Sequence, residues 1–303
     1  MMPSWGREVL NDDFVLDEQG VAVPVADREL PTDAGTAFHQ LMPRGTTLRS
    51  LERQELHLAY WETPYYRAAI GRMLKRTPGR RLAIDIGCGD GRFIGDYLDA
   101  GFEQVLAIDS NRSSLAALAG HLREQGLTER VLPVLASAAD LPVRDGVADC
   151  ALAIGCLYYL NELFGRGLSE AVRILRPDSL LINSEPDLAG AALKAMFFGD
   201  VEEFLNVRET ATFSEAHEGS RHRFRCFSPA MMESALSEAA MSVVDRHPLS
   251  IFPSLVRIAM VRQTIGVEEV RAKVERLRAA FDTLDGAAGA AKHVIWCSTK
   301  ARL

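Results

Sequence analysis

The sequence predicts an α/β chain built on a doubly wound, mostly parallel sheet with helices on both faces. Three observations carry this expectation. Short apolar runs alternate with amphipathic stretches between about residues 81 and 184. Leu82-Ala83-Ile84 and Leu180-Leu181-Ile182 are apolar without interruption, as strands covered on both faces must be. A glycine-rich turn, Gly87-Cys88-Gly89-Asp90-Gly91, follows the first of these runs, where a strand hands over to a helix.

In chain order, residues 1–45 are weakly periodic and punctuated by Pro3, Pro24, Pro31 and Pro43, so they read as an N-terminal extension. Within it, Phe14-Val15-Leu16 and Val21-Ala22-Val23 suit a hairpin turning at Glu18-Gln19-Gly20. From Thr47 the spacing of Leu48, Leu51, Leu56, Ala59 and Tyr60 is helical. Pro64 is expected to end or kink that helix, with Tyr65–Lys75 resuming it. Strands are expected at Arg81–Ile86, Gln104–Ile108, Val131–Leu135, Asp149–Ile154 and Leu180–Ser184. Helices are expected between them at Arg92–Ala100, Arg112–Gln125 and Asn161–Leu175. The tail continues with a helix at Pro229–Ala240 and strands at Ser242–Asp245 and His293–Ser298. Two lid-like insertions interrupt residues 46–303, at about 188–227 and 249–291, the second carrying an amphipathic helix at Val267–Leu284.

Composition narrows the function classes. With 303 residues, 48% hydrophobic and 25% charged, the chain can bury one large domain with insertions. A net charge of −7 argues against a broad nucleic-acid face, because phosphates need clustered Lys and Arg. One short basic patch stands out, Arg221-His222-Arg223-Phe224-Arg225. Five scattered cysteines without a C-x-x-C pair give neither a zinc ribbon nor a disulfide framework, and no metal is expected. The N-terminus shows no apolar signal core. The longest apolar stretch, Cys150–Leu160, is about half of what spans a bilayer. A cytoplasmic enzyme without a membrane segment is the expectation.

Three acids set the chemistry. In Asp85-Ile86-Gly87-Cys88-Gly89-Asp90-Gly91-Arg92 the glycines allow tight backbone angles and close approach of a ligand to the amides. A dinucleotide fingerprint would need glycine where Arg92 stands, which argues against a nicotinamide oxidoreductase. The preceding Asp85 suits a ligand bearing an ammonium group. Asp109, 24 positions after Asp85 and beside Ser110, ends the next strand, where a carboxylate can accept both hydroxyls of a ribose. A helix cap is the competing role for that acid. In Ala139-Asp140-Leu141-Pro142 the acid can accept an adenine amine while Leu141 covers the ring.

Taken together, Ile84–Gly91, Ile108-Asp109, Ala139–Pro142, Asp149–Ile154 and Leu175-Arg176-Pro177 make the chain resemble the class I S-adenosylmethionine-dependent methyltransferase family. The resemblance covers roughly residues 60–247 and 290–300. It implies a Rossmann-like fold and S-adenosyl-L-methionine as cofactor. It also implies that Gly87, Gly89 and Gly91 line the methionine moiety, with Asp109 on the ribose and Asp140 on the adenine amine. Ile154 or Gly155 would offer backbone to the amino-acid end. Cys88, Ser110 and Ala139 belong to the same turns, and Tyr65 and Tyr66 resemble aromatics that close over the cofactor. Two departures stand out. Asp178-Ser179 replaces the glycines that usually follow Leu-Arg-Pro, so altered loop geometry is expected there. Leu157-Tyr158-Tyr159-Leu160 replaces an apolar-His-His pattern, so no histidine base carries over to that position.

Candidates for the acceptor side lie beyond the strand ends: Tyr158 and Tyr159 after the fourth strand and Glu185 after the fifth. Tyr159, Glu185 and His222 are the candidate catalytic groups, and Tyr158, Tyr159, Glu185 and Arg223 the candidate acceptor contacts. The first insertion, with Phe197-Phe198, Phe204, Phe213 and His217, reads as a lid. In it His222–Phe227 alternates like a strand pairing with Thr210–Phe213. Its arginines either hold an acidic acceptor or form a solvated strand face. The expected activity is methylation of an oxygen or nitrogen of a small molecule. The alternatives are a peptide, protein or RNA acceptor, or a non-catalytic cofactor-binding scaffold. Assembly is left open, a homodimer among the expected states.

Overall fold

The computed structural model describes residues 2–11, 13–25, 58–197, 199–217, 220–250 and 291–301. The expected helix Val267–Leu284, most of the second insertion and the helical pattern from Thr47 to His57 lie outside the described residues.

The described elements are α1 (Ser4–Val9), β1 (Phe14–Leu16), β2 (Ala22–Pro24), α2 (Leu58–Leu74), β3 (Leu82–Ile86), α3 (Ile94–Asp99), β4 (Gln104–Asp109), α4 (Arg112–Glu124), β5 (Val131–Leu135) and β6 (Ala148–Ile154). A 3-10 helix, Leu157–Leu163, leads into α5 (Phe164–Arg173) and β7 (Leu175–Pro186). Then come α6 (Leu188–Phe197), α7 (Val201–Thr210), β8 (Thr212–His217), β9 (Ser220–Arg225), α8 (Pro229–Glu238), β10 (Met241–Ser250) and β11 (Ala291–Lys300).

Nine strands form one sheet in the order β1-β2-β5-β4-β3-β6-β7-β11-β10. The middle five are mutually parallel, and β11 and β10 close one side antiparallel. The alternation within β3 feeds both faces. Leu82, Ile84 and Ile86 pack on one side with Leu168, Phe227 and Trp296. Ala83 joins Ile70, Tyr97, Leu118 and Leu152 on the other. Each large side chain fully buried this way contributes about 1.5–3 kcal/mol relative to exposure.

The N-terminal segment is part of this core. The hairpin forms as the turn residues suggest, with Val15 opposite Val23, and β2 adds to the sheet in parallel with β5 through Ala22 and Val134. Trp5, Val9 and Phe14 are buried, and Trp5 Nε1 donates to the Glu129 carbonyl at 2.9 Å. The weak periodicity of residues 1–45 hid this because two three-residue strands are too short to show a period.

Two local expectations change. Helix α2 runs through Pro64 without a break. The turn at Asp178 keeps a glycine-like backbone, with φ +65°, inside a strand that begins at Leu175. An aspartate tolerates that left-handed conformation better than most residues.

Asp149 ties the amino edge of the sheet together. Its Oδ2 accepts from the Arg81 and Leu82 amides at 2.8 and 3.1 Å, and its Oδ1 accepts from Arg176 Nη1 at 2.8 Å. Its side chain fills the space that a Cβ on Gly79 would need. Asp149→Ala is expected to cost about 2–3 kcal/mol of unfolding free energy, since it strips a buried charge-assisted cluster. Urea denaturation reads this, and a loss under about 0.5 kcal/mol would place it with ordinary surface changes.

Candidate functional site

Parallel strands deliver their carboxyl ends to one edge, and in this chain the polar side chains gather there. At the β3–α3 turn, the amides of Gly87 and Cys88 both donate to the Ile108 carbonyl, at 2.8 and 3.0 Å. Gly87, Gly89 and Gly91 adopt φ of +70°, +55° and +83°, a region L-residues disfavour. Space matters as well: a Cβ at Gly87 would strike Cys156 Sγ, and one at Gly91 would lie 2.5 Å from Leu118 Cδ1. Cys88 is buried in the turn, and burial pushes its thiol pKa well up, so it stays a thiol.

Asp109 stands at the end of β4 beside this turn. Its Oδ2 accepts from the Gly89 amide and its Oδ1 from the Asn111 amide, both at 2.7 Å. The cap of α4 is Asn111, whose Oδ1 accepts from Ser113 and Ser114. The cap role weighed for Asp109 therefore belongs to its neighbour two positions on, and Ser110 lies half-buried between them. In the loop after β5, the amides of Ala139 and Asp140 turn back onto Ser137 at 3.2 and 3.1 Å. The buried Leu141 donates its amide to Glu170 Oε2 at 2.8 Å. Asp140 is half-buried, 3.7 Å from Arg166 Nη2. Beyond β6, half-buried Ile154 leads into Gly155, whose amide donates to Ser184 Oγ at 2.9 Å.

Asp85 is 2% exposed, and its Oδ2 has no hydrogen-bond partner among the described residues. Burial, reinforced by the charges of Asp109 and Asp96, raises its pKa to about 8. A carboxyl in that condition is a natural counter-ion for an incoming cation. The orphaned oxygen, the three left-handed glycines and the acid ending β4 are the features a bound S-adenosylmethionine requires, so the residues fit that cofactor.

Beside this turn lies a second polar cluster, walled by aromatic rings. Tyr158 and Tyr159 have ring centroids 4.1 Å apart, and Phe224 of β9 meets Tyr159 edge-on at 4.7 Å. His293, at the start of β11, meets Tyr158 and Tyr66 edge-on at 5.7 and 6.5 Å. Because β11 runs antiparallel, its first residues share the edge where β6 and β7 end. His293 is 8% exposed and its Nδ1 has no partner among the described residues. Burial, then the charges of Lys292, Lys194 and Arg92, hold its pKa well below the usual value, so the ring is neutral. Glu185 is 1% exposed; burial raises its pKa to about 8 against the opposing pull of Asn183, the Tyr158 amide and Arg225. Lys292 pairs with Glu62 at 2.8 Å and fastens α2 to this edge.

The segment from α6 to β9 leaves and returns at one point: Phe227 donates to the Pro186 carbonyl at 2.9 Å and Leu188 to the Phe227 carbonyl at 3.0 Å. Its hairpin pairs Phe213 with Phe224, close to the pairing the alternation suggested. Phe224 turns toward the tyrosines, and His222 stacks on it at 6.4 Å. Arg223 is a correction. Strand alternation puts it on the opposite side, exposed, bonding Asn206, so it is removed from the acceptor candidates.

The structure thus brings Tyr158, Tyr159 and Glu185 together, with His222 at the lid. Tyr65 is half-buried, and its neighbour Tyr66 is the ring inside the cluster, under the Arg92 guanidinium at 5.2 Å. Sequence reasoning passed over Asn183 and His293. The signal for both was present: polar residues ending apolar strands. Reading it for His293 needs the antiparallel direction of the last strand.

Comparison with known proteins agrees with this geometry. Residues 84–183 match the methyltransferase domain family. An uncharacterised 37.1 kDa protein of transposon TN4556 from Streptomyces fradiae is 31% identical over 127 residues, 40% of this chain. The match spans about a third of that relative, 34% of its length. Among solved structures, a Burkholderia thailandensis 1,6-didemethyltoxoflavin-N1-methyltransferase, with its substrate and S-adenosylhomocysteine bound, aligns at TM-score 0.52 and 18% identity. That alignment covers 96% of this chain and 100% of the other. A cyclase aligns at TM-score 0.52 and 21% identity over 78% of this chain and 81% of its own. At such identities the likeness is one of fold.

The raised pKa of Asp85 has a stability consequence. Between an unfolded value near 3.8 and a folded value near 8, the native state holds a proton that the unfolded state has lost, so this group destabilises the fold increasingly as pH rises through that window. Asp85→Asn removes the effect. The variant's thermal midpoint is expected to exceed the parent's at pH 8 and to approach it near pH 5. A difference that does not change with pH would contradict the assignment.

Proposed function

We propose that this chain, a member of the class I S-adenosylmethionine-dependent methyltransferase family, methylates an oxygen or nitrogen of a small molecule held between the carboxyl edge of its sheet and the α6–β9 lid. The observation that carries the reading is the buried, aromatic-walled polar cluster of Tyr66, Tyr158, Tyr159, Glu185 and His293, set beside the glycine turn and covered by the lid. A closed site of that kind suits a small acceptor better than a polymer. The solved Burkholderia thailandensis methyltransferase, with 1,6-didemethyltoxoflavin and S-adenosylhomocysteine bound, supports the same class.

When bound, the cofactor supplies an electrophilic methyl group on a sulfonium centre. This chain's own residues do the rest. Asp85, as an anion, holds the ammonium; Gly87, Gly89 and Gly91 let backbone amides approach the methionine moiety; Asp109 takes the ribose. Asp140 and Leu141 hold the adenine, with Cys88, Ser110, Ala139 and Ile154 completing the turns. The lid and the tyrosines exclude water and align the acceptor in line with the methyl group, where much of the rate of such a displacement arises. Tyr159, whose buried phenol keeps its proton, is proposed to orient the nucleophile, His222 at the lid is the candidate base, and neutral His293 offers a hydrogen-bond acceptor beside Tyr158.

Methyl-labelled S-adenosylmethionine incubated with the protein and size-fractionated cell extract tests this reading. Label is expected in a small molecule; label in protein or RNA would overturn the acceptor class, and no label alongside intact cofactor binding would favour a scaffold. Asp109→Ala is expected to weaken cofactor binding about tenfold or more in calorimetry. Unchanged affinity would contradict the ribose role.

A further inference from the structure

We infer, resting on the methyltransferase reading above, that the acceptor is a planar heterocycle carrying a cyclic amide edge, an N–H beside a C=O, and that Asn183 and Glu185 read that edge. Among the described residues, a few buried side-chain oxygen atoms lack a hydrogen-bond partner. Two of them, Asn183 Oδ1 and Glu185 Oε2, belong to side chains two residues apart on one face of β7, at the edge where the strand ends. Both residues are essentially sealed from solvent, at 0% and 1% exposure. Leaving one such atom unpaired costs about 1–3 kcal/mol, and native folds rarely leave two side by side unless something else pairs with them.

What the two atoms present is chemically specific. Asn183 Nδ2 donates one of its two hydrogens to Glu185 Oε1 at 3.0 Å, and the Tyr158 amide also faces the Glu185 carboxyl. The Asn183 carbonyl oxygen remains as an acceptor. With Glu185 held neutral near pH 7, its other oxygen remains as a hydroxyl donor. One acceptor and one donor side by side complement a cyclic amide, which offers N–H to the first and C=O to the second. A carboxylate would satisfy the donor but set its lone pairs against Asn183 Oδ1. An alkylammonium would satisfy the acceptor and leave the Glu185 hydroxyl unused. The walls are aromatic: the rings of Tyr158, Tyr159, Phe213 and Phe224 pack against one another at centroid separations of 4.1 to 6.1 Å, a surface on which a flat ring packs well.

Two measurements on the small-molecule fraction of extract decide the matter. The labelled product is expected to be a planar heterocycle with a cyclic amide. A labelled small molecule lacking that group would overturn this inference and leave the methyltransferase reading standing, whereas absence of small-molecule label defeats the reading itself. With the same fraction as acceptor, the parent's kcat/KM is expected to fall as pH rises through about 8, where Glu185 loses its proton. Glu185→Gln, which keeps a donor and an acceptor but cannot ionise, is expected to retain clearly more activity at pH 7 than the alanine variant and to lose that fall. Glu185→Ala is expected to drop about a hundredfold at unchanged cofactor affinity. A parent profile flat through pH 8, or a Gln variant as impaired as the Ala variant, would overturn the assignment. The parent's profile needs no variant to fold.

Discussion

A parallel sheet covered on both faces has only its edges at which to place polar side chains. In this protein β3, β4 and β6 are largely apolar, and β7 is so at Leu180-Leu181-Ile182, because each must satisfy helices or strands on two sides. The constraint collects Asp85, Asp109, Asn183, Ser184 and Glu185 at or near the carboxyl edge, with Asp149 at the opposite end where it clamps the strand starts. Everything chemical follows from that segregation. Asp85 and Glu185, buried against the apolar sheet, lose water and hold their protons near neutral pH, and the glycine turn exists because a strand must reverse into a helix over the same spot.

The two polar clusters share a logic of incomplete satisfaction. Around Asp85 the missing partner is a cation; around Asn183 and Glu185 it is a neutral donor–acceptor pair. A folded protein leaves such groups unpaired at a cost in stability, and ligand sites are where that cost is offset on binding. The lid belongs to this scheme because its two ends meet at Pro186 and Phe227 while its hairpin reaches back over the tyrosines, held there by Asn161 Nδ2 donating to the Arg223 carbonyl.

Much of this was legible in the sequence. The five central strands, the glycine turn and the acids at 85, 109 and 140 follow from apolar runs, glycine spacing and strand ends, all local signals. The hairpin of the first insertion was legible from alternation alone. Three things were not. The N-terminal hairpin joins the sheet through one short parallel contact that no period reveals. The outward turn of Arg223 depends on which side of a two-stranded ribbon meets the tyrosines, which is a tertiary fact. The role of His293 depends on strand direction, since the same residue on a parallel strand would sit at the opposite edge from the site. Asp178 adopts a left-handed backbone, a conformation that aspartate tolerates better than most residues.

The central claim is that a buried, neutral Asp85 becomes the anionic partner of the cofactor. Calorimetry of S-adenosylmethionine binding at pH 6.5, in buffers of different ionisation enthalpy, tests it most directly. Release of about one proton per cofactor bound is expected, lost when Asp85 is replaced by Asn, with affinity strengthening about tenfold for each unit of pH increase up to about 8. Binding without proton release, or with proton uptake, would contradict it.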